Sequence, residues 1–325
     1  MRAVITGAAG FIGSRFTELF VEQAERLGYD EIVLLDALTY SGRRVNLTNV
    51  LDDPRVTFVE GSIVDRAVTD DALRGAHAVV HLAAESHVDR SIESARPFFE
   101  TNVLGTLQLL ESSRNGDVER FVHVSTDEVY GSIPEGSWRE DHLLEPNSPY
   151  SSSKAGSDLA ALAFHRTYGL PVMVTRCSNN YGPRQFPEKV IPLFVTNLFD
   201  GRKVPLYGDG LNVRDWLHVD DHCRALLLVL EHGHPGEVYN IGGGTELSNR
   251  ELTTRLVKYC GADESMVEPV GDRLGHDRRY SVDWTKIKTE LGYEPTVDFD
   301  EGLEGTVRWY RDNEAWWRPL KERQA

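Results

Sequence analysis

MRAVITGAAGFIG, residues 1–13, is the stretch that decides the fold. Ala3–Thr6 is a short apolar run, Gly7, Gly10 and Gly13 follow at three-residue spacing, and apolar residues then recur at helical spacing from Phe11. Strand, glycine turn, helix is the order in which a chain meets a pyrophosphate. The glycines let the backbone turn tightly and approach the phosphates, and the free N–H groups of the helix start face the negative charge. The same glycines would also suit an ordinary tight turn, so the context has to decide. A second apolar run, Glu31–Asp36, ends in an acid 23 residues after Gly13. A carboxylate there accepts hydrogen bonds from an adenosine ribose and repels a 2′-phosphate. The segment predicts a bound dinucleotide, NAD rather than NADP.

Further strand-like runs are Val56–Glu60, Ala78–Leu82, Arg120–Ser125 and Pro171–Arg176. They are blocks of Val, Ile and Leu rather than alternating patterns, as expected of strands covered on both faces. Helical stretches lie between them, among them Phe11–Leu27, Pro97–Ser113 and Tyr150–Tyr168. This alternation predicts an α/β fold, a doubly wound parallel Rossmann sheet. After Arg176 glycine and proline become frequent and elements shorten, which predicts a smaller C-terminal substrate-binding domain. We expect residues 1–176 to hold the dinucleotide and 177–325 mainly the substrate, with segments such as 218–230 returning to the first domain.

The chain has 325 residues, 40% hydrophobic and 26% charged, with a formal charge of −16. That charge argues against nucleic acid or an anionic membrane as partner. Cys177, Cys223 and Cys260 are scattered, forming neither a disulfide framework nor a zinc pattern. The N-terminus lacks the apolar region of a signal peptide, and no stretch approaches the ~18 apolar residues of a bilayer span. A cytoplasmic location is the expectation.

Two sets of residues carry chemistry. In HVSTDEVYG, residues 123–131, a strand runs directly into Asp127 and Glu128. Crowded, partly desolvated carboxyls cannot both ionise easily, so one pKa rises and the pair offers an acid and a base together. Which one holds the proton is a property of the pair. Tyr150 and Lys154, four apart at a helix start, share one face. An ammonium beside a phenol, joined by a bound nicotinamide cation, favours the phenolate, a usable base for an alcohol. The alternatives are acids capping a turn and a surface Tyr–Lys pair.

In these residues the chain resembles an extended short-chain dehydrogenase/reductase, and within that superfamily the dTDP-glucose 4,6-dehydratase family. The matching stretches are HLAAES (81–86), ESHVDRSI (85–92), STDEVYG (125–131), YSSSKAGSD (150–158), RCSNNYGP (176–183), PLYGDGLNVRDWLHVDDH (205–222) and DRLGHDRRY (272–280). The resemblance implies a lyase that converts dTDP-glucose to dTDP-4-keto-6-deoxyglucose by internal redox through NAD. Glu128 would be the base at C5, Asp127 the acid at the C6 hydroxyl, Tyr150 the base at the C4 hydroxyl with Lys154 beside it, and Thr126 a donor to the C4 oxygen. It further implies cofactor contacts at Gly7, Gly10, Phe11, Ile12, Gly13, Asp36, Leu38, Thr39, Ser62, Ile63, Leu82, Ala83, Ala84, Ser86, Thr101, Tyr150, Lys154 and Asn180. Substrate contacts would come from Ser86, Asp89, Thr126, Asn179, Lys189, Val190, Pro205, Leu206, Tyr207, Arg214, Asn249, Asp272, Arg273, His276 and Tyr280. Arg214 suits a diphosphate clamp, because a guanidinium binds phosphate oxygens bidentately. The other enzyme on this scaffold would be an NAD-dependent epimerase or dehydratase of a UDP- or GDP-sugar, but epimerases and decarboxylases lack the adjacent Asp-Glu pair. Members pair the helices at 97–113 and 150–168 into a four-helix homodimer interface; the alternative is that their apolar residues all pack on the sheet.

The chain departs from the pattern at Ser62, where an Asp usually meets the adenine amino group, at Leu274, usually proline, and at Arg184, where an aromatic is expected. His218 and His222 lack a third ligand and no metal is expected; Asp220 or Asp221 should cap the helix there. Trp309, Trp316 and Trp317 read as packing residues of a closing helix.

Overall fold

The structure, a computed structural model, describes residues 1–116, 118–272 and 275–322. Twelve strands are assigned among them: β1 (Arg2–Thr6), β2 (Glu31–Asp36), β3 (Val56–Glu60), β4 (Ala78–His81), β5 (Arg120–Thr126), β6 (Val172–Cys177), β7 (Asn179–Tyr181), β8 (Val204–Tyr207), β9 (Val213–His218), β10 (Val238–Ile241), β11 (Glu246–Ser248) and β12 (Val267–Val270). Seven form one sheet in the order β3-β2-β1-β4-β5-β6-β10. Every pairing in it is parallel. The chain reverses direction across the sheet between β1 and β4, and the crevice at such a switch point is where ligands of doubly wound sheets bind.

Both faces of the sheet are buried, which is why its strands read as unbroken apolar runs. Ile5, Val122 and Met173 point to one face, with Phe16, Phe20 and Leu226 packed over them. Val4, Phe121 and Val172 point to the other, under Leu109, Leu110 and Leu162. The helix Val219–His232 packs on Phe11–Leu27 and on β5. A separate core collects Tyr181, Ile191, Trp216, Leu252, Leu303, Tyr310 and Trp317. Around it lie the small sheets β11-β9-β7 and β12-β8.

Helix ends follow their local chemistry. Phe11–Leu27 stops at Gly28, at φ 78°, a left-handed conformation that glycine adopts without strain. Pro149–Tyr168 starts at a Ser148/Ser151 capping box, with Pro149 in its first turn, and stops at Gly169. The stretch expected as one helix over Pro97–Ser113 is broken. Arg96–Phe98 is α, Phe99–Gly105 is a π turn and Thr106–Arg114 is α again. The cause lies in what the turn holds. Asn102 is tied to both backbone groups of Glu85 and to Ser153 Oγ at 2.8–3.0 Å, and a Cβ on Gly105 would meet Ile63 Cδ1 at 2.6 Å. The widened turn lets Asn102 reach these partners while Thr101 faces the cleft.

The cap of Val219–His232 also differs from expectation. His218 takes the Asp220 N–H at 3.2 Å. Asp221 instead turns inward and accepts the N–H groups of Thr296 and Val297, both at 3.0 Å.

Candidate active site

The crevice at the switch point is a cleft of roughly 310 Å³. At one end lies the glycine turn. Gly7 has φ 69°, and a Cβ there would stand 2.6 Å from the Ala83 nitrogen. A Cβ on Gly13 would stand 2.0 Å from the Gly7 carbonyl oxygen. Only glycine fits either place. The helix that follows has no side-chain cap and no acid in its first turn, so its free N–H groups meet an anion unopposed. Asp36 lines the same end, with Oδ2 accepting Ala9 N–H and Oδ1 accepting Leu38 N–H, both at 2.8 Å. Burial raises its pKa and the two backbone donors oppose that rise. The turn without room for side chains, the uncapped helix start and the buried acid together fit the adenosine diphosphate half of a dinucleotide.

The structure brings most expected cofactor residues to this cleft: Gly7, Gly10, Phe11, Ile12, Gly13, Asp36, Thr39, Ser62, Ile63, Leu82, Ala83, Ala84, Ser86, Thr101, Tyr150, Lys154 and Asn180 all line it. Leu38 does not; at φ 47° its side chain packs against the core beneath. Ser62 Oγ accepts Val64 N–H at 3.2 Å.

At the other end β5 stops at Thr126, whose hydroxyl accepts Glu128 N–H at 3.3 Å and caps the short 3-10 turn Asp127–Tyr130. The capping alternative for the two acids is not met: Thr126 is the cap, and Asp127 and Glu128 lie in the first turn it opens. Thr126 donates in turn to Asp127 Oδ1 at 3.3 Å. Asp127 is 2% exposed and its Oδ2 has no hydrogen-bond partner among the described residues. Burial pushes its pKa well up, and the charges of Glu128 and Asp215 push the same way against Arg214. Burial thus favours the protonated form of Asp127. Glu128 is half-buried and faces the cleft.

Tyr150 and Lys154 stand beside this pair, both buried. Lys154 Nζ donates to the Val124 carbonyl at 2.8 Å. Burial lowers its pKa to about 8, against Asp158 and Cys177, which raise it. For Tyr150 burial is again the largest effect and pushes the phenol well up; Glu128, Cys177 and Asp127 add to it, and the hydrogen bond with Thr126 opposes it. The resident groups by themselves keep the phenol protonated, so a further positive charge beside it is what the phenolate requires.

Asn180 is set by its neighbours: its Oδ1 lies 2.9 Å from His222 Nδ1 and its Nδ2 donates to the Ser178 carbonyl at 3.0 Å. His222 is buried and its pKa falls to about 3, so it is a neutral orienting group. Among the described residues no cluster of three His, Cys, Asp or Glu could hold a metal ion.

Of the expected substrate residues, Ser86, Thr126, Asn179 and Lys189 line the cleft, and Lys189 Nζ crosses it to the Ser86 carbonyl at 2.6 Å. Arg214 does not line it. Its guanidinium donates to the carbonyls of Val213 and Asp277 and lies 4.3 Å over the Tyr280 ring. This group still borders the carboxylates, since Arg214 lowers Asp127 and Glu128 raises Tyr280. Asp272 bonds His276 Nδ1 at 2.6 Å, and that ring sits 6.4 Å from Tyr207, at the end of Pro205–Tyr207 on β8. Asn249 begins the helix beside β11, Val190 begins Val190–Phe199, and Asp89 lies in the first turn of Val88–Glu93. Arg273 and Leu274 lie outside the described residues.

Sequence reasoning missed Glu85, Cys177, Gln185, Phe186 and Glu188, which also line the cleft. The signal for the last three was the Gly-Pro-rich loop itself, since loops on a rigid sheet carry binding groups. Arg184, left open by the sequence, sits at φ 68° and donates to Glu18 Oε1 at 2.7 Å and to the Asn46 carbonyl at 3.1 Å. It fastens this loop to the first helix.

Comparison with known proteins agrees with the geometry. Residues 4–306 match the family described as GDP-mannose 4,6 dehydratase. A dTDP-glucose 4,6-dehydratase of Streptomyces antibioticus is 60% identical over 100% of this chain and 97% of its own. The crystal structure of DesIV, a dTDP-glucose 4,6-dehydratase from Streptomyces venezuelae solved with NAD and TYD bound, superposes with a TM-score of 0.97 at 60% identity, covering 98% of this chain and 100% of that one. A UDP-glucose 4-epimerase from Thermotoga maritima reaches a TM-score of 0.87 at 36% identity, covering 97% and 100%.

Proposed function

The chain belongs to the dTDP-glucose 4,6-dehydratase family of extended short-chain dehydrogenases/reductases, and from that premise we propose how its residues work. The protein is an NAD-dependent hydro-lyase that converts dTDP-glucose to dTDP-4-keto-6-deoxyglucose and releases one water. When bound, NAD supplies a nicotinamide ring that accepts the C4 hydrogen as hydride and gives it back at C6.

The side chains handle the protons. Tyr150 takes the C4 hydroxyl proton while Thr126 steadies that oxygen. Lys154, held on the Val124 carbonyl, keeps a positive charge near the phenol. The C4 ketone acidifies C5–H, and Glu128 removes that proton. Asp127 gives its proton to the C6 hydroxyl, the C6–O bond breaks and water leaves. Glu128 then returns its proton to C5 as C6 is reduced, and the proton taken by Tyr150 balances the one Asp127 gave up. General acid and base groups of this kind each contribute about 10²–10⁴ in rate. In the substrate subsite, Asn179 and Lys189 face the cleft, and Arg214, Asn249, His276 and Tyr280 bind the nucleotide diphosphate next to it.

The observation that carries this reading is Asp127, buried and with its pKa pushed up by that burial, adjacent to the cleft-facing Glu128 at the end of β5. The fold does not choose the reaction, because a 4-epimerase shares it. Assay with dTDP-glucose and UDP-glucose in parallel is the test: a 4-keto-6-deoxy product forms from the first, with no added reductant. A C4 epimer in its place would reject the proposal.

We also assign the protein to the cytoplasm as a homodimer. Its three cysteines are free thiols, which suits a reducing compartment, and among the described residues no helix is long and apolar enough to cross a membrane. Recovery in the membrane or secreted fraction would contradict this. Phe98 and Leu162 pack inward, but Phe99, Leu104, Leu159 and Tyr168 are 41%, 53%, 58% and 52% exposed on the two helical stretches. Paired with the same face of a second copy, they make a four-helix interface. Sedimentation at micromolar concentration is expected to give a dimer, and Leu104→Glu with Leu159→Glu a monomer. A monomeric parent protein would reject the interface.

A further inference from the structure

Ala9, the middle of the glycine turn, is held at both of its backbone groups. Its N–H goes to Asp36 Oδ2 at 2.8 Å, and its carbonyl takes Arg43 N–H at 3.0 Å and Asn46 Nδ2 at 2.9 Å. Asn46 is 3% exposed and does not line the cleft. Its side-chain Oδ1 accepts the Trp316 indole N–H at 2.8 Å, and its backbone carbonyl accepts Arg184 Nη1 at 3.1 Å. Arg43 closes the circuit: Nη1 donates to the Trp316 carbonyl at 2.5 Å and the guanidinium lies 5.3 Å over the indole. We propose that Asn46 is a positioning residue for the dinucleotide turn and that Trp316, in the helix Glu314–Glu322, acts on cofactor binding through it.

A carboxamide has one end that donates and one that accepts, and either could face Ala9. The Ala9 carbonyl only accepts and the indole N–H only donates. The indole and the Ala9 carbonyl therefore demand the same orientation of the Asn46 amide, the one that gives Ala9 its second donor beside the Arg43 N–H. Without the indole N–H the amide oxygen loses its donor, and the Asn46 side chain is held at one end only. Ala9 lies between Gly7 and Gly10, so a tilt of its peptide plane moves the N–H groups offered to a pyrophosphate. The ring of Trp316 also packs on Trp309 and Tyr310, at 5.1 and 6.4 Å. A phenylalanine keeps an aromatic ring in that packing and removes the donor.

This deepens the reading of the cleft as an NAD site and rests on it. The test follows exchange of bound NAD for isotope-labelled NAD in the holoenzyme. Trp316→Phe is expected to speed release about fivefold and Asn46→Ala about tenfold, the scale of one or two net hydrogen bonds. The double variant should match Asn46→Ala alone, because Trp316 works through Asn46. KM for dTDP-glucose and the thermal midpoint of Trp316→Phe should stay near the parent values. Should Asn46→Ala fail to fold, Asn46→Asp keeps the shape and the acceptor for the indole but has no donor for Ala9, and it too should release NAD faster. Parent-like exchange in Trp316→Phe, or effects that multiply in the double variant, overturn the inference while leaving the NAD site intact. A protein that retains no NAD at all overturns both.

Discussion

Replacing Asp127 by asparagine should lower formation of the 4-keto-6-deoxy sugar by about 10²–10⁴-fold, the worth of a general acid, while raising the thermal midpoint. The two effects have one cause. Asp127 is buried beside Glu128 and Asp215, so the folded state binds its proton more tightly than the unfolded chain does. As pH rises from the ordinary carboxylate range through that raised value, the unfolded state ionises first and the parent protein loses stability. Asparagine is neutral throughout and escapes that loss. Its carbonyl can still accept from Thr126, as Asp127 Oδ1 does. The stability gain should be largest at neutral pH and vanish below the pKa of an unfolded aspartate, where both states are protonated. Thermal denaturation at pH 7 and at low pH, beside a product assay, checks both halves. An Asp127→Asn variant that turns over normally removes the acid; one that is less stable at pH 7 removes the claim that burial strains it.

Glu128→Gln should separate the steps that the parent protein runs together. Oxidation at C4 needs Tyr150, Lys154 and Thr126, which this change leaves in place. Elimination needs a base at C5, which it removes. On adding dTDP-glucose, the absorbance of reduced nicotinamide should rise toward one equivalent per subunit and stay, while product formation falls by about 10²–10⁴-fold. Glutamine preserves the side chain's size and its place in the turn capped by Thr126, so a folding defect is not the expected outcome. Absence of the absorbance change would place Glu128 in the first step, and normal turnover would take it out of the mechanism.

The parallel sheet and the glycine turn are legible from sequence for a physical reason. A strand covered on both faces is apolar along most of its length, as Ala3, Val4 and Ile5 of β1 and Ile32, Val33, Leu34 and Leu35 of β2 are. Phe11–Leu27 and Pro149–Tyr168 carry their own stop signals in Gly28 and Gly169. The residues proposed for catalysis are equally local, since Thr126, Asp127 and Glu128 are consecutive and Tyr150 and Lys154 share one helical face. What escapes the sequence depends on distant neighbours. The π turn at Phe99–Gly105 follows from Asn102 reaching Glu85 and Ser153, and Leu38 turns inward because its N–H goes to Asp36. The upward push on the Asp127 pKa shows only once its burial and the placement of Asp215 and Arg214 are known. Trp316 reads as mere packing because its partner, Asn46, lies 270 residues earlier.

The central claim is that one hydrogen leaves the sugar at C4 and comes back to the same sugar at C6 while the carboxyl pair removes water between those events. dTDP-glucose carrying deuterium at C4 puts it to the most direct test, with the product read by NMR or mass spectrometry. Deuterium recovered on C6 of the 4-keto-6-deoxy product, within one molecule, is the predicted result. Deuterium lost to solvent, or a C6 hydrogen drawn from water, would contradict it.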